Sequence, residues 1–331
     1  MDPISTINRR TLLGAAAAIT TATTIGSPAV AQVAAPDLKG RSILITGSSS
    51  GFGYAGALHY ARAGAKVIAS MRNLPRAEAD KLKATSQKEN LDITIIEMDV
   101  TSDEQVANGV AEAQRIAGGA LDALINNAGI GLTGPVEMQD IAATQLMFDT
   151  NVYGCHRVAR AVLPAMRKAK RGQIFNISSQ LGRVILPGGG HYSATKFALE
   201  AMSEQMAYEL APHGVEVTII QPGGYPTDVW RNRNRYTGEL LARADEERKA
   251  AYAMFTSRMG TEDGSGRSAD IFDVPRAIAE IIAMPAGSRP LRQMVHPVAK
   301  PQEAINKVSA ETQRAWLGNS PYGPLIKAVH D

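Results

Sequence analysis

Short runs of β-branched and other apolar residues alternate with longer, more polar stretches from residue 40 onward. A short apolar run bounded by turn residues predicts a buried strand, and a longer stretch with a helical repeat predicts a helix between strands. Strands are predicted at residues 41–46, 66–70, 93–98, 121–126, 173–178, 215–221 and 291–296, and helices at residues 51–64, 76–89, 104–116, 142–169, 192–211 and 273–283. Buried strands joined by crossover helices form a parallel sheet with helices on both faces, so the pattern predicts a single doubly wound α/β domain.

The composition of the 331-residue chain is that of an ordinary globular protein, with 44% hydrophobic and 20% charged residues and a net charge of +3. The positive charges are spread along the chain and form no long basic block, so no nucleic-acid partner is expected. Cys155 is the single cysteine, which excludes an intrachain disulfide and a cysteine zinc site. The six histidines have no metal-ligand spacing, so no metal is expected either.

The N-terminus has the pattern of an export signal. Arg9 and Arg10 directly precede an apolar stretch at residues 12–25, and the small residues 29–31 follow as a cleavage pattern. The apolar stretch is too short to span a bilayer, which needs roughly 20 residues. We therefore expect a twin-arginine-type signal peptide at residues 1–31, periplasmic export and no membrane span after its removal. The alternative is a disordered arm on a cytoplasmic protein.

A glycine-rich turn joins the first predicted strand to the first predicted helix at residues 46–53. Gly47 permits a tight turn, Gly51 lets the backbone approach a pyrophosphate, and Gly53 lets the helix pack closely on the sheet. The free N–H groups and the dipole of the helix start attract phosphate. The turn therefore predicts a dinucleotide site, with a purely structural β–α turn as the alternative.

Further motifs follow in order, each at the end of a predicted strand or on a predicted helix. They are Asp99-Val100, Asn126-Asn127-Ala128-Gly129, Asn151, Ser179 followed by Gln180-Leu181-Gly182, Tyr192-Ser193-Ala194-Thr195-Lys196, and Pro222-Gly223 with Thr227. With the TGxxxGxG turn, this series resembles the short-chain dehydrogenase/reductase family from residue 40 to residue 228, and weakly to residue 297. The resemblance implies a Rossmann-like sheet of about seven strands in the order 3-2-1-4-5-6-7, and a catalytic domain at residues 32–297 with an extension at residues 298–331.

The resemblance also implies four catalytic residues, which are Asn151, Ser179, Tyr192 and Lys196. Tyr192 would be the acid/base, Lys196 would favour its phenolate and reach the nicotinamide ribose, Ser179 would bond the substrate oxygen, and Asn151 would hold a water that links Lys196 to solvent. Cofactor contacts are expected from Gly47, Ser48, Ser50, Gly51, Phe52, Gly53, Arg72, Asp99, Val100, Asn127, Ala128, Gly129, Tyr192, Lys196, Pro222, Gly223 and Thr227. Taken singly, each catalytic residue also fits an ordinary structural role, such as a helix aromatic, a solvated lysine, a helix cap or a polar kink.

The end of the second predicted strand bears on the choice between NAD and NADP. NAD-selective dinucleotide folds place an acidic residue there, whereas this chain has Met71 followed by Arg72. A guanidinium can bind the 2′-phosphate of NADP through two parallel hydrogen bonds, and Ser48 could add a third. The sequence thus favours NADP, with a surface arginine and mixed cofactor use as the alternative.

The segment at residues 229–260 is polar and rich in arginine, and we expect it to form a lid over the substrate. Arg231, Arg233 and Arg235 would suit an acidic substrate, although a solvated face is the more common role of such a run. The leading hypothesis is an NADP(H)-dependent oxidoreductase acting on a ketone, an aldehyde or a secondary alcohol. The alternatives are an isomerase or lyase that recycles bound NADP, and a dinucleotide-binding sensor without turnover.

The resemblance implies a homodimer or tetramer formed through the helices that hold Asn151 and Tyr192. Free NADP(H) is not expected outside the cytoplasm, so an exported enzyme would have to retain its cofactor tightly.

Overall fold

Seven parallel strands form one sheet in the computed structural model, which describes residues 36–331. The strands are β1 (Ser42–Ile45), β2 (Lys66–Met71), β3 (Ile93–Glu97), β4 (Ala123–Asn126), β5 (Gly172–Ile177), β6 (Val215–Pro222) and β7 (Arg292–Val295). Their order is β3-β2-β1-β4-β5-β6-β7, which confirms the predicted Rossmann-like α/β fold. The expected signal peptide at residues 1–31 lies outside the described residues.

Helices cover both faces of the sheet. They are α1 (Gly51–Arg62), α2 (Ala77–Glu89), α3 (Asp103–Ala117), α4 (Ile141–Phe148), α5 (Gly154–Ala169), α6 (His191–Leu210), α7 (Val229–Arg243), α8 (Glu246–Ala251), α9 (Ala253–Thr256), α10 (Asp273–Ala283), α11 (Glu303–Leu317) and α12 (Gly323–His330). Successive residues of β1 show why two layers form: Ile43 and Ile45 pack with α1, α2 and α10, and Leu44 packs with α3, α5 and α6. None of the helices within residues 36–331 is long and apolar enough to cross a membrane.

The single long helix predicted at residues 142–169 is wrong in one respect. A π-helical turn at Asp149–Tyr153 separates α4 from α5. Such turns insert an extra residue into an α-helix and are frequent at functional sites. The turn holds Asn151, which is completely buried.

The predicted lid segment forms α7, α8 and α9. Tyr236 and Leu240 of α7, with Met259, pack in a separate apolar cluster against Ile130 and Leu132, which follow β4. Helix α7 is therefore anchored to the loop at the end of β4. The C-terminal helices α11 and α12 pack on each other, and α12 packs on α6.

Candidate active site

A cleft of about 940 Å³ opens at the carboxyl ends of the strands, where doubly wound folds bind ligands. It extends from the glycine turn to the start of α6 and lies under α7. Most of the residues expected to bind cofactor or substrate lie on its wall: Gly47, Ser50, Gly51, Phe52, Arg72, Asp99, Val100, Asn127, Ala128, Gly129, Ser179, Tyr192, Lys196, Pro222, Gly223 and Thr227.

Three of the expected residues, Ser48, Gly53 and Asn151, are not part of the cleft wall. Ser48 is fully buried, and its hydroxyl donates to the carbonyl oxygen of Ile45 at 3.1 Å. The expected hydrogen bond from Ser48 to a 2′-phosphate is therefore wrong, because the turn at Gly47 directs this side chain into the protein. The neighbouring Ser49 faces the cleft instead.

The glycine turn is held against β4 by side-chain hydrogen bonds. The Asn127 amide donates to the carbonyl oxygens of Thr46 at 2.9 Å and of Gly47 at 3.1 Å, and the Thr46 hydroxyl accepts from the N–H groups of Asn127 and Ala128 at 3.0 Å. Gly47 has a φ of +69°, and a Cβ on it would lie 2.9 Å from the Cα of Ala128. A Cβ on Gly53 would overlap the Gly47 carbonyl oxygen and lie 2.6 Å from Asn127 Nδ2. Only glycine fits these two positions.

The start of α1 offers donors to the cleft. Ser50 stands at the N-cap but makes no side-chain cap hydrogen bond, so the first N–H groups of the helix are not capped by a side chain. Free N–H groups at a helix start beside a glycine turn are an arrangement that binds phosphate groups. The residues present therefore fit a dinucleotide cofactor.

At the other end of the cleft, α6 begins at His191 and places Tyr192 and Lys196 one turn apart on the same face. The buried Lys196 donates through Nζ to the carbonyl oxygen of Ile177 at 2.8 Å, and Nζ lies 5.7 Å from the centroid of the Tyr192 ring. Ser179 Oγ accepts from the N–H of Leu181 at 3.1 Å, so its own hydrogen remains available to donate into the cleft. These side chains can bond and polarise an oxygen of a bound molecule.

Asn151 is hydrogen-bonded to the loop after β4 and to the start of α6. Its Oδ1 accepts from the N–H of Ile130 at 2.8 Å, and its Nδ2 donates to the carbonyl oxygen of Ile130 at 2.9 Å and to Thr195 Oγ1 at 3.1 Å. The Thr195 hydroxyl in turn donates to the carbonyl oxygen of Tyr192 at 2.7 Å. Both N–H groups of the amide are thus used by the protein. The Asn151 side chain therefore braces the loop after β4 and the start of α6. The water expected between Asn151 and Lys196 stays a prediction.

Two arginines, each near a carboxylate, line the end of the cleft near β2. Met71 is buried, and no carboxylate stands at the end of β2 in the position expected for an NAD enzyme. Arg72 lies 3.9 Å from Asp99 and donates to the Tyr236 hydroxyl of α7 at 3.3 Å. Arg76 also faces the cleft and donates to the carbonyl oxygen of Arg72 at 3.3 Å. Arg76 was missed from the sequence because it lies beyond the turn after β2, where no pattern marks it.

Helix α7 and the segment after α9 contribute cleft residues that the sequence indicated only as a charged run or did not indicate at all. Trp230, Arg233 and Arg267 all line the cleft, and the guanidinium carbons of the two arginines lie 4.4 Å and 3.9 Å from the Trp230 ring centroid. The run of arginines at residues 231–235 was the available signal for Arg233. Nothing in the sequence connects Arg267 to this site. No group of three or more metal-ligating side chains is assembled anywhere in residues 36–331.

Comparison with known proteins identifies the family. The model of the short chain dehydrogenase family matches residues 41–237, which is more than half of the chain. Retinol dehydrogenase 8 of Homo sapiens is 37% identical over 205 residues, covering 61% of this chain. The matched region spans 62% of that relative's length, so less than two thirds of it is represented here.

Two solved structures share the fold. A short-chain dehydrogenase/reductase from Burkholderia phymatum in complex with NAD aligns with a TM-score of 0.67 and 23% identity, covering 86% of this chain and 97% of that one. A metagenomic short-chain oxidoreductase in complex with NADP aligns with a TM-score of 0.62 and 23% identity, covering 80% of this chain and 100% of that one. Because the family model extends from the first strand of the sheet to beyond the sixth, the chain belongs to the short-chain dehydrogenase family.

Proposed function

We propose that this protein is an NADP(H)-dependent oxidoreductase that interconverts a ketone or aldehyde and the corresponding alcohol, with Tyr192 as the acid/base. One observation carries the proposal: Ser179, Tyr192 and Lys196 line the same cleft as the glycine turn. A dinucleotide whose diphosphate lay on that turn would extend toward these three side chains. A bound nicotinamide would supply the hydride donor or acceptor, which no side chain provides.

The side chains have complementary tasks in this proposal. Tyr192 donates its hydroxyl proton to the substrate oxygen during reduction and removes a proton from it during oxidation. Ser179 donates a hydrogen bond to the same oxygen and stabilises the negative charge that develops there. Lys196, fixed by Ile177, places a positive charge near the Tyr192 ring.

The preference for NADP rests on the charges near β2. Arg72 and Arg76 face the cleft, and the buried Met71 stands where an NAD enzyme would have a carboxylate. Arg76 is partly neutralised by Glu78, because their 2.9 Å hydrogen bond holds the pKa of Glu78 down at about 2. Arg72 is paired less closely, at 3.9 Å from Asp99, and is therefore the better candidate for a 2′-phosphate.

The acid/base assignment is tested with Tyr192→Phe, and Tyr153→Phe serves as a control because Tyr153 is exposed outside the cleft. We expect Tyr192→Phe to bind NADPH like the parent, measured by its fluorescence, and to lose at least about 100-fold in kcat with reducible ketones. Turnover in Tyr192→Phe within a few-fold of the parent would refute the assignment. Isomerised product without net oxidation of NADPH would replace the proposal with the isomerase alternative.

The cofactor assignment is tested with Arg72→Gln. A lost hydrogen bond between charged groups is worth about 1.5–3 kcal/mol, so Kd for NADPH should rise about 10-fold or more. Kd for NADH should change little, because NADH has no 2′-phosphate. A parent enzyme that prefers NADH in kcat/KM would contradict the proposal.

We also propose export through the twin-arginine route, on the strength of residues 1–31 alone. Fusing these residues to a folded reporter should send it to the periplasm, and changing Arg9 and Arg10 to lysine should abolish this. Cofactor that remains bound during purification would support an exported enzyme. The expected dimer or tetramer stays a proposal, for which light scattering of the purified protein is the measurement.

A further inference from the structure

Arg233 is a partly buried cation that forms no ion pair within 4 Å among residues 36–331, although the charge of Glu262 acts on it from further away. It lies in the first half of α7 and lines the cleft. Its Nε is buried and has no hydrogen-bond partner among residues 36–331. Burial lowers the pKa of this guanidinium from its ordinary value. Partial burial of an unpaired charge costs free energy, and a bound anion would offset this cost.

The position of Arg233 is fixed by what it packs against. Its guanidinium stacks on Trp230, whose Nε1 is itself held by the carbonyl oxygen of Tyr225 at 2.6 Å. Arg267 lies against the same ring, but it is paired with Glu262 at 2.7 Å. Glu262 also acts on Arg233, but its carboxylate is bonded to Arg267, so the two guanidiniums on this ring share one carboxylate and the local charge toward the cleft is positive.

Arg233 is near the reacting end of the cleft. A Cβ on Gly131 would lie 3.4 Å from its Cγ, so the stem of Arg233 lies along the loop after β4 that Asn151 braces. The Tyr192 phenol is close enough to act on the pKa of the Arg233 guanidinium. The donors for a diphosphate lie elsewhere, at the glycine turn and the start of α1, so Arg233 is not needed to bind the diphosphate.

We propose that Arg233 binds a carboxylate of the substrate, so that this enzyme acts on keto acids and hydroxy acids rather than on neutral ketones and alcohols. The inference rests on the proposed function, since it names the substrate class for the same site. The planar guanidinium offers two parallel N–H donors, which match a carboxylate, and its stacking on Trp230 fixes their direction. The acid end of the substrate then lies under α7 while its carbonyl faces Tyr192.

The first arm of the test measures binding without turnover. Pentanoate, which has no reducible group, and the neutral pentanamide are titrated calorimetrically into the NADPH-loaded full-length protein. We expect pentanoate to bind more tightly than pentanamide, and Arg233→Gln to weaken pentanoate binding about 10- to 100-fold with Kd for NADPH unchanged. Arg258→Gln is the control, because Arg258 is an exposed lid arginine outside the cleft. Arg233→Lys keeps a charge without the fork and should retain part of the preference, which covers the case in which the glutamine variant does not fold.

The second arm measures kcat/KM for a panel of 3-oxo acids and their methyl esters. The parent should prefer each acid, and Arg233→Gln should lose this preference while its activity on the esters is retained. Equal binding of pentanoate and pentanamide would overturn the inference. Weaker NADPH binding in Arg233→Gln with no acid-specific effect would also overturn it, and would assign Arg233 to the cofactor. If no carbonyl compound oxidises NADPH, the proposed function fails, whereas pentanoate binding still decides the anion site.

Discussion

Replacing Gly53 with alanine should damage both the fold and the cofactor site. Gly53 lies in the first turn of α1, where the added Cβ would be 2.6 Å from Asn127 Nδ2 and would overlap the Gly47 carbonyl oxygen. Ordinary contact begins at 3.4 Å, so the Asn127 pair alone must separate by roughly 0.8 Å. Both neighbours are backbone or hydrogen-bonded groups and cannot simply rotate away.

The expected cost follows from these contacts. Overpacking of this kind costs about 1–3 kcal/mol. Displacing Asn127 also weakens its hydrogen bonds to Thr46 and Gly47, each worth about 0.5–1.5 kcal/mol. The better helix propensity of alanine returns less than about 1 kcal/mol. The net loss should be about 1–3 kcal/mol, and Kd for NADPH should rise about 10-fold, because the glycine turn moves with Asn127.

Urea unfolding gives the first quantity, and a fluorescence titration with NADPH gives the second. Gly238→Ala is the matched control, because Gly238 lies in α7 and an added methyl group there would have nothing within 4 Å of it. That variant should be neutral or stabilised by up to about 1 kcal/mol. A Gly53→Ala protein with the stability and the NADPH affinity of the parent would refute the reasoning.

Asn151→Ala should lower both the melting midpoint and the turnover, because it leaves the N–H and C=O of buried Ile130 without hydrogen-bond partners. Each unpaired group should cost about 1–3 kcal/mol of stability. An unchanged melting midpoint would contradict this. Arg292→Met removes the cation between two buried carboxylates of α6 and should cost about 3–5 kcal/mol at pH 7 in urea unfolding. Burial alone would raise the pKa of Glu204, but a hydrogen bond from the C-terminal helix and the charge of Arg292 lower it to about 2. The stability that Glu204 contributes is therefore present above its ordinary pKa of 4.5 and lost as the pH falls toward 2. The difference in the free energy of unfolding between the parent and Arg292→Met should narrow over that range. Arg115→Met, which removes one partner of an exposed ion pair, is the control and should not change the free energy of unfolding.

The sequence carried enough information for the sheet and for the two ends of the cleft. Strands buried on both faces are continuous apolar runs, and parallel strands place their ends at one edge. Gly47, Tyr192 and Lys196 were therefore located by the strands and helices that flank them. The side of the turn on which Ser48 lies was not predictable in this way, because it depends on the backbone angles at Gly47.

The interruption at Asn151 and the role of the lid arginines depend on packing. A π-helical turn adds one residue to a helix, which leaves the apolar repeat of residues 142–169 nearly continuous in the sequence. Whether Arg233 is a solvated charge or part of the cleft depends on Trp230 and on the distant Arg267. Arg267 is far from Arg233 along the chain, and such a pair leaves no periodic signal.

The C-terminal helices should matter for stability and not for substrate choice. No residue of α11 or α12 lies on the cleft wall. Instead, Tyr208 of α6 is hydrogen-bonded to His330 of α12 at 2.7 Å, and Asn306 of α11 donates to Gln221 of β6 at 2.7 Å. A chain that ends at residue 302 should therefore melt at a lower temperature, because these hydrogen bonds are lost and the side of α6 that packs on α12 becomes exposed to solvent. Its ratio of kcat/KM for an acid over the methyl ester should equal that of the parent, since Arg233 and α7 are untouched; a changed ratio would show that the tail reaches the substrate.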